Sequence, residues 1–455
     1  MGSVLFSTAE EPVTPVYTSY YDVEPLIVPT DLFSEISIRP KFEHANFSDD
    51  VDVKIFPRKG LRSNGFAYGS LKDTAWELDE RGTLKVKAVF PGEQSHVIAV
   101  TYTIPATKWE AARRVTRNFP VYSCHEDLYS AIPLRADFHI HTNLSDGAES
   151  PEYVAARYRE EGFDFIAVTD HFIYEPSLRA IEKCSRFTRD FKLFPGEEVH
   201  LPGNRVHILN FGGKYSVNAL ATGDPEKFQK EWQEIAETLP PCLDGTDSHN
   251  LRQHAAISEW AFREIRKSGG LSMLCHFAWE TNGFDVDAWT SDTLIARHNF
   301  DLLEIVSGYS LGEWYSNNLQ TSRYLTECAK GKKFAVAGVS DSHGTDTGEY
   351  FNWYYTIVLA KNDSLEEIFT ALKSGMAVAV EAVNGALPRC YGDDRLVDYV
   401  TFLLANYFPH HRDLCRPEGA LLRAALAGDE TAAAALQTLN GRIPGWRTRL
   451  FPGTV

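Results

Sequence analysis

The chain has no apolar run long enough to cross a bilayer, and its first residues, MGSVLFSTAEEPV, show no basic stretch followed by an apolar core. Membrane insertion and secretion are therefore disfavoured, and a cytoplasmic setting is expected. Cysteine is sparse: Cys124, Cys184, Cys242, Cys275, Cys328, Cys390 and Cys415 are odd in number, scattered and without CxxC spacing. That pattern speaks against a disulfide framework and reads as thiols in a reducing compartment. Positive charge is in deficit, with 45 Lys and Arg against 62 Asp and Glu and a net charge of −17. Such a field repels phosphate backbones, so no extended nucleic-acid partner is expected. P-loop and dinucleotide fingerprint are both missing, which removes the usual signatures of P-loop enzymes and dinucleotide-dependent enzymes.

What the chain does have is a set of short apolar runs that stop at His, Asp or Glu. They read ADFHIHTNLSDG from Ala136, FDFIAVTDHF from Phe163, FPGEEV from Phe194, RVHILNFG from Arg205, LSMLCHF from Leu271 and FAVAGVSDSHG from Phe334. Parallel strands would deliver these residues to one rim. On an extended chain, residues two apart share a side, so His139 and His141 face one point while Ile140 packs away from it. Asp341 and His343 repeat that spacing. One buried histidine is ordinarily a core residue with a hydrogen-bond partner. Six of the fifteen histidines and three carboxylates placed this way would leave many unpaired polar groups without a cation.

At 455 residues the chain exceeds the usual size of a single core. Residues 1–130 are expected to form an accessory domain in which the stretch from about Glu35 to Thr103 alternates apolar and charged positions, as in TLKVKAVF from Thr83, and predicts a small antiparallel β-sandwich. Tyr17, Tyr20 and Tyr21 precede it and are expected to pack rather than bind a ligand. Residues 131–387 alternate strand and helix. Ser150, Pro151 and Gly162 bound one helix, and Ser364, Glu367 and Gly375 another. Strands beginning near Ala136, Phe163, Phe191, Arg205, Leu271, Leu302, Phe334 and Thr356 point to an α/β fold, a closed or distorted (β/α) barrel. Residues 388–455 predict helices, with His410 and His411 beside Pro409 read as surface residues of a loop.

The central motifs resemble those of the PHP family, named for its polymerase-associated and histidinol-phosphatase members. HIHTNLSDG matches the opening motif, TDH the second, PGEEV the third, LCHF a later one and VSDSHG the last, over about 250 residues. The arrangement is most similar to the carbaryl-hydrolase-like branch, in which a β-domain often precedes the barrel. The resemblance implies a seven-stranded distorted barrel, (β/α)7, and two or three divalent ions, zinc, manganese or iron. It implies one ion on His139, His141, Glu198 and Asp341, and a second sharing Glu198 with His207 and His276. A third would take Asp146, His171 and His343; some members have histidine at the Asp146 position. Glu197 competes with Glu198 for the bridging role, the Gly-x-Glu spacing favouring Glu198, and Asp170 is a candidate to orient a ligand or cap a strand end.

Imidazoles suit borderline divalent metals, and a two-oxygen carboxylate can bridge two ions. The resulting reading is a phosphoesterase that hydrolyses a small phosphate monoester with a metal-activated hydroxide at a trinuclear site, through His139, His141, Glu198, Asp341 and His343. Three other readings stay open: a carboxylic or carbamic ester hydrolase, a phosphodiesterase or 3′-5′ exonuclease acting on short nucleotides, and a non-catalytic metal-binding module. Arg205, two residues from His207, and Tyr309 are candidate substrate contacts; His200 and Lys214 are weaker ones. The insert from Gly212 to Ala255, with His249 and His254, is the candidate lid.

Overall fold

The structure is a computed structural model that describes residues 20–58, 69–242, 248–279, 286–346 and 350–454. The chain divides into two compact units, one formed by residues 1–130, 402–407 and 446–455, the other by residues 131–401 and 408–445. Residues 388–455 are thus shared between the units.

In the first unit, β1 (Tyr21–Glu24), β3 (Phe33–Pro40), β5 (Ala75–Leu78) and β6 (Leu84–Val89) form one sheet in the order β1-β3-β6-β5. A second sheet runs β2-β8-β7-β4, from β2 (Ile27–Pro29), β4 (Asp52–Pro57), β7 (Gln94–Ile104) and β8 (Arg113–Cys124). Alternation decides what is buried: Ile36 and Ile38 lie opposite Val86 and Leu84, and Ile98 sits between Ile55 and Phe119. These side chains make one shared core, the layout of a sandwich. On the wet face Lys87 reaches Glu35 and Glu77, each at 3.3 Å. Tyr17 lies outside the described residues, whereas Tyr21 is buried and its hydroxyl donates to Ala45 O at 2.8 Å. The chain end is tied in by Leu26 N to Leu450 O at 3.1 Å.

The second unit holds β9 (Ile132–Asp137), β10 (Phe165–Ala167), β11 (Lys192–Phe194), β12 (Gly196–Val199), β13 (Ile208–Phe211), β14 (Leu271–Leu274), β15 (Leu302–Val306), β16 (Val336–Gly338), β17 (Tyr354–Ala360), β18 (Ala377–Glu381) and β19 (Arg389–Tyr391). Each of the apolar runs read as strands carries one. They are hydrogen-bonded as a six-stranded sheet, β11-β10-β9-β17-β18-β19, and a five-stranded sheet, β12-β13-β14-β15-β16. The wholly parallel rim expected from the sequence is corrected here. β12, β13 and β14 pair antiparallel, as do β9 and β17; for β12 and β13 the short 200–207 connection permits a hairpin and not a crossover. Isolated parallel bridges, Ile140 to Ser342 and His171 to Glu198, link strand ends of the two sheets. Those bridges bring the polar run ends together.

Helix Leu365–Lys373 is capped by Ser364, whose Oγ accepts from Glu367 N at 3.3 Å, while Ser364 N donates to Asn362 Oδ1 at 2.9 Å and not to Glu367. Ser150 precedes helix Pro151–Glu160, but its side chain makes no cap bond. The insert from Gly212 is largely helical in its described part. It forms helices Val217–Gly223 and Pro225–Ala236 and the start of Ser248–Lys267, and Phe228 and Trp232 are buried in the unit's core. His254 lies on the last of these helices, 3.8 Å from Asp287, and the side chain of His249 lies outside the described residues.

His410 and His411 are also corrected. They lie in helix Phe408–Leu426, where Pro409 occupies the first turn and its missing N–H costs nothing. His411 is fully buried, with Nε2 3.0 Å from Asp164. Nearby, buried Arg159 pairs with Glu418 at 2.6 Å. Among the described residues no helix is long and apolar enough to cross a membrane, and no disulfide is formed.

Candidate metal centre

Beyond the end of β9 the chain continues through Phe138, which packs into the apolar core, and the fully buried Ile140, while His139 and His141 both meet Glu198 and Asp341. Asp137, buried at the strand end, accepts from His139 N at 3.3 Å, Ser340 N at 3.1 Å and Tyr158 Oη at 2.9 Å. Burial pushes its pKa up to about 6 against those hydrogen bonds. It therefore ties the HIH segment to the SDSH segment. Asp341, with φ 51°, and His276, with φ 21°, hold left-handed backbone angles that are strained for residues with side chains, as functional positions often are. Gly308 allows the segment after β15 to approach Ser340, whose carbonyl oxygen would lie 1.7 Å from an added Cβ.

Glu198 is the hub. Its Oε2 lies 3.4 Å from His139 Nε2, 3.4 Å from His141 Nε2, 2.7 Å from His171 Nδ1 and 3.4 Å from His200 Nε2. Its Oε1 lies 3.1 Å from His207 Nδ1 and 3.3 Å from His276 Nε2. The two oxygens thus face two histidine groups. Asp341 Oδ1 closes the first group at 3.2 Å from His139 Nε2 and 2.9 Å from His141 Nε2. Asp146, half exposed, stands 3.3 Å from both His171 Nε2 and His343 Nε2 and 3.7 Å from His141 Nδ1.

These residues make sets whose ligand atoms all lie within 4.8 Å of one another: His139, His141, Glu198 and Asp341; Glu198, His207 and His276; His141, Asp146, His171 and His343. The donors fit divalent ions. Corners of a tetrahedron about 2.1 Å from its centre are about 3.4 Å apart, close to the spacings found here. His139 Nε2, both ring nitrogens of His141, Glu198 Oε2 and Asp341 Oδ1 are buried and have no hydrogen-bond partner, which a buried polar atom ordinarily requires.

The electrostatics agree. Burial opposes charge on every member, yet the neighbouring imidazoles hold Glu198 and Asp341 well below the usual carboxylate range. Against its own burial, His171 is raised to about 10 by Glu198 and Asp146, and His343 to about 9 by Asp146 and Asp341. Burial depresses His141 to about 4 and His207 to about 3. A field that draws protons onto His171 and His343 also draws cations.

Several sequence candidates resolve differently. Glu197 turns away from Glu198, accepting from Asn210, Ser216, Val217 N and Asn218. Asp170 accepts from Thr142 and Ser145, so it fixes the turn carrying Asp146. His200 joins His171 and Glu198 in a further set, and its ring centroid lies 3.6 Å from that of His207, the two planes tilted by 34°. Arg205 is exposed and does not line the cavity above the cluster. Residues 204–207 lie outside the strands; His207 lines the cavity and Arg205 does not. Lys214 is likewise exposed. Tyr309 does line the cavity, but its hydroxyl donates to Gln320 Oε1 at 2.8 Å.

Glu304 was not anticipated. It is fully buried on β15, accepting from His139 Nδ1 at 3.3 Å and from His276 N at 2.6 Å. Its sequence signal was a carboxylate inside the apolar run LLEIV. Cys275 forms a compact set with His139 and Glu304. The cavity has a volume of about 370 Å³, with ligand candidates on its floor and Trp279, Tyr309, Glu313 and Tyr350 among its walls.

No protein-family model matches this chain, and no curated protein matches it. Among solved structures, one similarity is to a two-domain protein from Bacteroides vulgatus containing a predicted PHP-like metal-dependent phosphoesterase. It has 19% identity and a TM-score of 0.37, and covers 55% of this chain and 65% of that one, so the match spans just under two thirds of that protein. A structure from Bifidobacterium adolescentis assigned as a metal-dependent phosphoesterase matches at 18% identity and TM-score 0.30, over 46% of this chain and 88% of that one. An amidohydrolase from Chromobacterium violaceum, with bound sulfate and no metal, matches at 21% and 0.30, over 46% and 87%. The functional reading rests on the geometry of the cluster.

Proposed function

We propose that the chain is a metal-dependent hydrolase acting on a small phosphate monoester at a centre for two or three divalent ions, carried on a distorted barrel. The bridges joining the strand ends of its two sheets support the barrel. One observation carries the functional reading: buried donor atoms without hydrogen-bond partners on His139, His141, Glu198 and Asp341 share ligand sets with His171, His207, His276 and His343, which line an accessible cavity.

Bound there, zinc, manganese or iron would supply hydroxide near neutral pH and compensate charge building on the phosphoryl oxygens. The chain's own part is to hold tautomers and exclude rivals. His139 keeps its proton on Nδ1 toward Glu304, leaving the Nε2 lone pair for the cluster. His343 keeps its own on Nδ1 toward Asp341 O at 2.8 Å, leaving Nε2 facing Asp146. Glu198, His139 and Asp341 would hold one ion with His141, Glu198 would be shared with His207 and His276, and Asp146, His171 and His343 would hold the third. No protein nucleophile is required.

A second reading, hydrolysis of a carboxylic or carbamic ester, is favoured by one observation. Among the described residues no Lys or Arg lines the cavity, so a neutral substrate would fit. Metal analysis coupled to phosphate release from a panel of monoesters, set against phenol release from aryl esters, tests both. Phosphate release that follows metal content supports the phosphoesterase; phenol release from carboxylic esters alone replaces it.

A further inference from the structure

We infer that the substrate's leaving group is aromatic and carries no second anionic group. This rests on the phosphomonoester reading and adds the class of alcohol released.

The wall beside the ligand cluster is built from aromatic rings and one acid. The ring of Trp279 lies 5.4 Å from that of His276 and 5.7 Å from that of His207, so a group one ester bond from the reacting centre meets the indole. The indole is fixed: its backbone N–H donates to His276 O at 2.9 Å and its Nε1 to Glu313 Oε1 at 3.3 Å. Tyr309 offers a ring and not a donor, because its hydroxyl proton is given to Gln320. Aromatic walls of this kind favour planar, apolar groups.

Charge sharpens the choice. Glu313 faces the cavity, with Oε2 held by Ser310 N at 3.2 Å and Ser310 Oγ at 2.7 Å. No described Lys or Arg lines the cavity, and the neighbouring sequences 280–285 (ETNGFD) and 347–349 (TGE) contain neither residue. The exposed Arg205 and Lys214 do not reach it. A phosphoryl group can be neutralised by ions on the floor. Beside Trp279, among the described residues, a carboxylate or second phosphate on the leaving group would meet the Glu313 carboxylate and no Lys or Arg.

The test uses the full chain loaded with zinc or manganese and two substrates of similar intrinsic reactivity, phenyl phosphate and 3-carboxyphenyl phosphate, with glycerol phosphate as the non-aromatic reference. Expected is a kcat/KM at least tenfold higher for phenyl than for carboxyphenyl phosphate, expressed mainly in KM. Glu313→Gln should narrow that gap, and Trp279→Leu should lower the phenyl-to-glycerol ratio at least tenfold. Calorimetry with phenylphosphonate and 3-carboxyphenylphosphonate should show the same order of affinity without turnover. Equal values for the charged and uncharged pair, or a phenyl-to-glycerol ratio unmoved by Trp279→Leu, would overturn the inference. Cleavage of phenyl acetate but of no phosphate would overturn the phosphomonoester reading alone, and the phenyl and 3-carboxyphenyl acetates would then decide the leaving-group question. Cleavage of neither ester class would overturn both.

Discussion

Glu304→Gln separates a residue that positions ligands from one that only fills the core. The carboxylate serves two masters: Oε2 takes the proton of His139 Nδ1 and Oε1 the backbone N–H of His276, whose φ is 21°. An amide has one accepting oxygen, so it can serve His139 or His276 but not both. A carboxylate behind a metal-bound histidine typically contributes 10–100-fold in affinity. Because ligands of two sets are held by this one group, the upper end is expected, about 100-fold or about 2.7 kcal/mol. In the metal-free protein the unpaired donor costs about 1–3 kcal/mol, partly offset because one negative charge leaves a pocket that already holds Glu198 and Asp341. The variant should therefore lose most in the rise of Tm that added metal produces, and least in the metal-free Tm. Competition with a chromophoric chelator measures the dissociation constants, and thermal unfolding with and without metal measures the rest. Unchanged affinities beside a lowered metal-free Tm would reduce Glu304 to a core residue.

Other perturbations probe separate links. His139→Ala should lower bound metal and turnover together, and unchanged turnover in metal-depleted protein would refute the proposed chemistry. Glu198→Gln should weaken two ions at once, since its oxygens face different histidine groups; loss of one ion alone in metal analysis would contradict a bridging role. Gly308→Ala places a Cβ 1.7 Å from Ser340 O, an overlap that only backbone movement relieves, at a cost of several kcal/mol. A Tm within about 2 °C of the parent would disprove that approach. In the sandwich unit, His96 is buried with Nε2 2.8 Å from Ser123 Oγ, and burial lowers its pKa from 6.5 to about 4. Above pH 6.5 both folded and unfolded chains leave it neutral. Between pH 6.5 and about 4 the unfolded chain binds the proton more readily, so stability falls with pH, by about 3 kcal/mol in all. His96→Leu should flatten that part of the urea-unfolding profile, and an unchanged slope would assign the acid sensitivity elsewhere.

The ligand candidates were legible because of where strands stop. A run such as FAVAGVSDSH must bury its apolar part and then release its polar end at a rim, whatever its neighbours do, so Asp341 and His343 could be read without knowing the sheet order. Pairing direction could not be read in the same way: periodicity reports which face of a strand is apolar, not which strand lies beside it. The brief 200–207 connection was the available sign of a hairpin. Arg205, two residues before His207, is exposed and does not line the cavity; two-residue spacing specifies a common face only on extended backbone.

Glu304 and His200 show the opposite case, in which a signal was present but belonged to no motif. Placing a carboxylate in the middle of LLEIV costs several kcal/mol unless its oxygens are met, and the nearby polar groups available to meet them are the ligands themselves. His200 follows Glu198 by two residues, the spacing by which His141 follows His139, and the structure turns both pairs toward the cluster. Burial of charge is thus as informative as a motif when a site is sought. A motif identifies donors that end strands, and an ionisable residue within an apolar run identifies what holds those donors in place.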